Sequence, residues 1–586
     1  MGGSSIVVTM PLAQVSPQLD DRRIDRSIAT RQEAITERER PALGRSLLAG
    51  VLLFLVFAGI SALHDPRGSL GTDTGGKLAT VQTMTQRGVL DPTIGYWAER
   101  SDPTGSLHPL TYTSHLDGGW VNVTTLPMIV AAAPLAAIGG LRAVMLLPML
   151  GGVLCAYAAA ALAARLDSRA RWPVFWIIGL ATPVVIYATD FWEHSIGLGV
   201  LLVACVACFD LVWRRAGFAT AVLAGACFGA AATMRTEALV YLVVAALVVA
   251  VTMCIERSGL RRVIVAGVGL AIGAVVTLAA NQLLEHVVIG SGLRAARATG
   301  TVGDAGSTLG FRAKEALIAT VGLNAFDFDR DMFAGALVVG CIAVGAIAVV
   351  QPRPATRLAG VAAFLVAAFL YVARIQHGVG FVPGLLVASP FAVIGLAAGW
   401  RRRDARFVLA IACLPIPLIW ASQYSGGALP QWGARYELLS GALLAVLGIV
   451  ALVRVPQRAA FACVLALAVG VSAFGVAFSV ARSRDVASAM EVVVASGQPV
   501  ISREPHLLRE GGAFYSTSTR WLTAGNDREL RRAVAVVGDA GNSSFELLQF
   551  HGRAKIGELE GFEPVRAHVV EFVPGLLVDV IEYEHR

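Results

Sequence analysis

The side chains of this chain that could do chemistry gather in four short stretches at the ends of long apolar runs. Residues 71–84 (GTDTGGKLATVQTM) place Asp73 in a Gly/Thr turn ahead of a helical stretch bearing Lys77. Glycines let a ligand come close, so Asp73 fits a base at a membrane surface. The same residues fit a helix N-cap at Thr72 or Asp73, with Asp73 and Lys77 as an i,i+4 pair. Residues 188–195 (ATDFWEHS) crowd Asp190, Glu193 and His194 into one turn with Phe191 and Trp192. An interfacial aromatic accounts for Trp192, but not for two carboxylates beside an imidazole. Their D-x-x-E-H spacing admits a divalent cation, Mg or Mn, yet metal sites need further ligands. Orienting an acceptor or a phosphate is the preferred role.

Residues 233–241 (TMRTEALVY) put Arg235 and Glu237 where one apolar run ends and the next begins. A snorkelling pair would mark the interface, whereas the guanidinium fork also suits a lipid phosphate. Residues 423–441 (QYSGGALPQWGARYELLSG) gather Tyr424, Gln431, Trp432, Arg435 and Tyr436 in a Gly-rich loop entering a helix. Backbone donors and the positive end of a helix dipole favour an anion there. Asp327, Asp329 and Asp331 in NAFDFDRD (324–331) share a D-x-D-x-D spacing. They lack the Gly and Glu of a calcium loop and read as a solvated acidic turn.

The elements that must position these residues are membrane helices. Of 586 residues, 56% are hydrophobic and 15% charged, with mean hydropathy +0.66; a soluble domain carries about 25% charged residues. Lipid offers no partner to an unpaired backbone group, so long apolar runs must span as helices. About thirteen are expected, near 46–63, 143–164, 173–189, 195–212, 218–234, 237–255, 263–284, 333–350, 358–373, 380–400, 407–421, 437–453 and 459–480. The net charge of +7 lies mostly in short Arg-bearing loops. Such loops set topology; nucleic acid would demand clustered basic surface interleaved with aromatics, so no nucleic-acid partner is expected. All eight cysteines fall inside apolar runs, which implies no disulfide framework, and the Cys205-x-x-Cys208 pair reads as packing.

The Arg loops at 165–171, 213–217, 256–262, 351–357, 400–406 and 454–458 alternate as cytoplasmic. They do so only if the apolar stretch 123–140 is re-entrant, juxtamembrane or incompletely spanning. The expected organisation is a cytoplasmic N-terminal tail (1–43), an all-α polytopic membrane bundle (44–481) with external loops 64–122 and 285–332, and a small extracytoplasmic α/β domain (482–586). In that domain VVVAS, PVIS, RAVAVVGD, FELLQF and VVEFVPGLLVDVIEY read as strands, with a helical stretch around 526–535. The chain would sit as a multi-pass protein in a plasma membrane, N-terminus cytoplasmic and C-terminus extracytoplasmic, bringing all four clusters to the outer side.

This layout resembles the GT-C-type membrane glycosyltransferases, a superfamily that uses polyprenyl-phosphate sugars. An acidic residue, Asp73, lies in a long loop after the first span, and His108-Pro109-Leu110 resembles the proline-bearing segment of that loop. An R-x-E (Arg235, Glu237) follows a Gly/Ala-rich helix; QWGARYELL (431–439) resembles a bacterial QWGxRYLL segment, and GLLVASP (384–390) is similar too. The likeness covers about 44–480. It implies Asp73 as the catalytic acid/base residue, a polyprenyl-phosphate sugar as donor, and a glycan or glycolipid of the cell envelope as acceptor. Many members carry paired acidic residues in this loop, whereas Thr74 follows Asp73; Glu193 or Asp190 is the candidate to share the role. Lys77, His194, Arg235, Glu237, Gln431, Trp432, Arg435 and Tyr436 are then expected to bind substrate or phosphate. A flippase of lipid-linked saccharides and a non-catalytic envelope scaffold are the competing expectations. A transporter would show internal repeats and polar residues near the midplane, and neither is visible.

Overall fold

A computed structural model describes residues 44–69, 72–88, 90–110, 112–116, 119–122, 125–290, 292, 309–323, 328–375, 382–422, 432–456, 458–515, 520–554, 556, 558–573 and 576–586. The chain divides into two compact units, Met1–Leu52 and Leu53–Arg586. The first is described only from Gly44, as the start of a helix. Everything that follows belongs to the second.

Among the described residues, eleven helices are long and apolar enough to cross a membrane, from Gly44–Leu63 to Arg458–Val494. This is a multi-pass membrane protein. On the helix Leu260–Ile289, for example, Leu260, Ile264, Val268, Val275 and Val287 are exposed, an apolar face suited to lipid and unsuited to water.

Eleven differs from the expected number for local reasons. The run at 173–189 splits into Arg171–Leu180 and Val184–Tyr187 around Thr182 and Pro183, and the run at 380–400 splits into Leu385–Ala388 and Pro390–Ala398 around Ser389. Proline lacks the N–H that continues a helix and clashes with the preceding turn. Conversely, the stretch expected to stop short, 123–140, lies largely in the helix Leu126–Val144, one of the eleven by length and composition. That helix is interrupted: Gly139 and Gly140 leave helical geometry, with Gly140 at φ 64° and ψ −162°. The regular part before them reaches roughly 20 Å at 1.5 Å per residue, short of a hydrocarbon core of about 30 Å.

The helix Arg458–Val494 runs through the boundary expected at 481/482 without a break. Its last turn takes up the start of VVVAS, which therefore is not a strand. Beyond it, β3 (Val500–Ser502), β4 (Trp521–Thr523), β5 (Ser544–Phe550), β6 (Phe562–Val573) and β7 (Leu576–His585) form a sheet in the order β4-β3-β5-β7-β6. β3 is parallel to β4 and β5; β7 is antiparallel to β5 and β6. RAVAVVGD belongs to the helix Asp527–Asp539, not to a strand. Its buried residues, Leu530, Ala533, Val534, Val536 and Val537, recur at helical spacing, and Asn526 caps it by accepting from the Glu529 amide at 2.9 Å.

The first loop does not stand apart from this domain. Tyr96, Leu107 and Trp120, the last on the hairpin of β1 (Thr113–Leu116) and β2 (Gly119–Asn122), are buried in one core with Ile501, Leu522, Leu530 and Phe545. Asp102 holds the loop in shape. It accepts from the Leu107 amide (2.7 Å) and the hydroxyls of Tyr96 (2.7 Å) and Thr104 (2.9 Å), and pairs with Arg532 (2.8 Å). Burial would raise its carboxyl, but these donors together hold it below the usual carboxylate range. His108 of the H-P-L segment is buried too, with Nε2 at 3.0 Å from the Ile94 carbonyl, a structural position within the loop.

Glu546 on β5 faces Glu582 on β7 in register. Burial pushes its carboxyl up to about 7, opposed by the Ser496 hydroxyl and assisted by the Glu582 charge. The folded chain therefore holds a proton that the unfolded chain releases near its ordinary value of 4.5, and stability falls as pH rises from there through about 7. Glu546→Gln is expected to stabilise the chain by about 1 kcal/mol at pH 8 after solvent screening, and hardly at all at pH 5. Thermal unfolding at the two pH values checks this; equal shifts at both would contradict it.

Candidate functional site

The helix Thr72–Arg87 brings Asp73, Thr74 and Lys77 against the turn ahead of the helix His194–Trp213. Lys77, buried, pairs through Nζ with Glu193 Oε2. The other oxygen, Oε1, accepts from Arg235 Nη1 at 3.3 Å, and Arg235 Nε donates to Glu237 Oε1 at 2.7 Å. A continuous chain of alternating charge, Lys77–Glu193–Arg235–Glu237, results. Thr74 Oγ1 donates to Asp190 Oδ2 at 3.3 Å. Arg435, 362 residues away in sequence, pairs with Asp73 through Nη1 and Oδ2 at 2.9 Å. The Tyr436 ring joins the two halves, because the Arg235 and Arg435 guanidinium carbons each lie 4.9 Å from its centroid.

Burial grades the cluster. The Lys77, Glu193, Arg235 and Glu237 side chains are buried, whereas Asp73 is 30% exposed, so the Asp73–Arg435 pair forms the mouth. Burial alone would raise the Glu193 carboxyl; the charges of Lys77 and Arg235 outweigh it and hold the group below the usual range.

Backbone features aim these residues. Gly433 and Ala434 both adopt left-handed conformations, φ 71° and 59°, which turn the chain into the short Arg435–Glu437 helix. Trp432 anchors that turn from outside the cluster: it is buried against Phe474 and Phe478, and its carbonyl accepts from the Tyr187 hydroxyl at 2.9 Å. On the other side, Gly512 meets the backbone of Gly75 so closely that a Cβ there would lie 1.9 Å from the Gly75 oxygen. Ser69 Oγ donates to the Glu510 carbonyl at 3.0 Å. The C-terminal segment thus packs on the first turn of the helix that carries Asp73.

Asp73, Lys77, Asp190, Glu193, His194, Arg235, Glu237, Arg435 and Tyr436 all meet in this region, and Trp432 supports it from behind. Gln431 and Tyr424 lie outside the described residues, as does Asp327, while Asp329 and Asp331 fall in the helix Phe328–Val349. Two residues that the sequence did not single out take part. Thr74, read as a departure from an acidic pair, binds Asp190. Tyr187 stacks on His194 with centroids 4.7 Å apart at 14°; a hydroxyl inside an apolar run is the signal that pointed to it, since a buried tyrosine seeks a partner.

The D-x-x-E-H grouping does not assemble a cation site. Asp190 accepts from the Phe191 amide at 2.8 Å and from Thr74, and Glu193 spends both oxygens on Lys77 and Arg235. His194 lies between the rings of Tyr187 and Trp192. Among the described residues no three His, Cys, Asp or Glu side chains are grouped to hold a metal ion, so Mg or Mn does not fit this donor set. The arrangement can instead bind an anion and receive a proton.

No family model matches the chain, and no curated protein matches it. Among solved structures it is similar to ArnT from Cupriavidus metallidurans in the apo state, at 15% identity over 91% of this chain and 97% of that one, with a TM-score of 0.41. It is similar to the same protein bound to undecaprenyl phosphate, at 14% identity over 91% and 97% with a TM-score of 0.38. It is also similar to the Archaeoglobus fulgidus oligosaccharyltransferase in the apo form, at 13% identity over 85% and 69% with a TM-score of 0.38. These neighbours are GT-C glycosyltransferases, the superfamily that the sequence motifs resemble. Likenesses this distant carry no argument about the reaction, which rests on the site.

Proposed function

We propose that the chain is an inverting membrane glycosyltransferase. It moves a sugar from a polyprenyl-phosphate donor to a hydroxyl of a glycan or glycolipid acceptor in the cell envelope, on the extracytoplasmic side. The observation that carries this reading is the partly exposed Asp73–Arg435 pair at the mouth of a buried, charge-balanced chain. A lipid phosphate is already a good leaving group and needs fixed positive charge more than a general acid. Arg435 supplies that charge in a preorganised, water-poor setting. The donor phosphate displaces Asp73 from Arg435, and the freed carboxylate draws the proton from the acceptor hydroxyl as the anomeric carbon gains oxocarbenium character. One carboxylate and one displacement give inversion. Glu193, neutralised by two cations, holds Lys77 and Arg235 in place, and Asp190 anchors Thr74 next to the base.

The test is direct. The purified chain in lipid nanodiscs is incubated with labelled polyprenyl-phosphate sugars and envelope acceptors, and free polyprenyl phosphate and glycosylated product are both measured. Movement of intact lipid-linked saccharide across proteoliposomes without cleavage would replace this reading with the transporter. A second expectation concerns the contact of Gly512 with Gly75. Gly512→Val must displace the turn that carries Asp73, and misplacing a catalytic group by about 1 Å costs on the order of a hundredfold. Turnover should fall by about that factor, with thermal stability falling far less; unchanged turnover would show that the contact does not position the helix.

A further inference from the structure

Resting on that transferase reading, we infer that the cleft behind the Asp73–Arg435 pair is the pocket for the donor's sugar and selects a neutral, polyhydroxylated ring. His194, Arg235, Glu237, Arg435 and Tyr436 line this cleft. Three of these side chains are buried with hydrogen-bonding capacity unspent: both ring nitrogens of His194, Nη2 of Arg235 and Oε2 of Glu237 have no partner. A buried polar atom left without a partner costs about 1–3 kcal/mol, so several around one cleft call for a ligand that satisfies them together.

Their chemistry identifies the ligand class. Arg235 Nη2 offers a donor, Glu237 Oε2 an acceptor, and a neutral imidazole one of each. Sugar hydroxyls both donate and accept, and so match this mixed set, whereas a phosphate only accepts and would leave Glu237 facing like charge. The charge balance agrees, because Arg235 already pairs with Glu193 and Glu237. Arg235 therefore serves the sugar rather than the phosphate, and the phosphate falls to Arg435 at the mouth. Stacking of His194 on Tyr187 fixes the imidazole plane, which suits recognition of a defined hydroxyl geometry.

Two probes separate the roles: a polyprenyl-phosphate sugar that the chain turns over, and the same polyprenyl phosphate without sugar, read as an inhibitor. Glu237→Gln and His194→Phe, the latter keeping an aromatic ring for the stack, are measured against both. The expected result is a rise of about 10- to 100-fold in KM for the sugar donor, with the inhibition constant of the sugarless lipid within twofold of wild type. Retained inhibition also reports that the variants are folded. Equal losses for both probes, or an unchanged KM for the donor, would overturn the sugar pocket alone. Failure of the sugarless lipid to bind the wild-type chain would overturn the transferase reading and the pocket with it.

Discussion

Arg435→Ala is expected to lower kcat/KM for a polyprenyl-phosphate donor by about a thousandfold, on the order of 4 kcal/mol of transition-state stabilisation. The guanidinium is 10% exposed, pairs with Asp73 at 2.9 Å and stacks on Tyr436. Its removal takes away the positive charge at the mouth and leaves the Asp73 carboxylate facing the donor phosphate with like charge. Arg435→Lys restores the charge but neither the fork nor the ring contact, so its loss should be smaller, about tenfold to a hundredfold. Initial rates over a range of donor concentration decide the matter. An alanine variant within threefold of wild type would remove Arg435 from phosphate binding.

Asp73→Asn should act on a different constant. Loss of a general base costs about 10²–10⁴ in rate, and the drop should appear in kcat. Donor affinity should hold or improve, because asparagine brings no charge to compete with the phosphate for Arg435. That split distinguishes a base from a side chain that merely holds the loop, whose loss would damage affinity and stability together. Full transfer by Asp73→Asn with purified donor would end the assignment.

How much of this could be read from residues alone differs from feature to feature. The apolar runs were legible because a spanning helix is a local property of about 20 residues. Where the reading failed, a local breaker had been passed over: Pro183 and Pro390 split two expected spans. In the tail, Ala533, Val534, Val536 and Val537 looked like a strand because a short apolar run does not reveal its period, yet they line one face of a helix. Asp102 drew no notice, since a single carboxylate in a polar loop carries no motif. Its role comes from Leu107, Tyr96 and Arg532 converging on it.

The sequence by itself determined the membrane class of the protein and where its scarce charges lie, at the ends of helices, because the cost of burying charge in lipid confines them there. Only the tertiary structure decided how those charges are spent. Glu193 reaches Lys77 across 116 residues and Arg235 across 42, and Asp73 reaches Arg435 across 362. Such pairings follow from how helices pack, and a buried charge settles beside whichever opposite charge packing brings within reach. Packing also joined the first loop to the C-terminal sheet in one core and left Asp73 the most exposed of the ion-paired residues at the mouth. That exposure is what makes Asp73 available to a substrate.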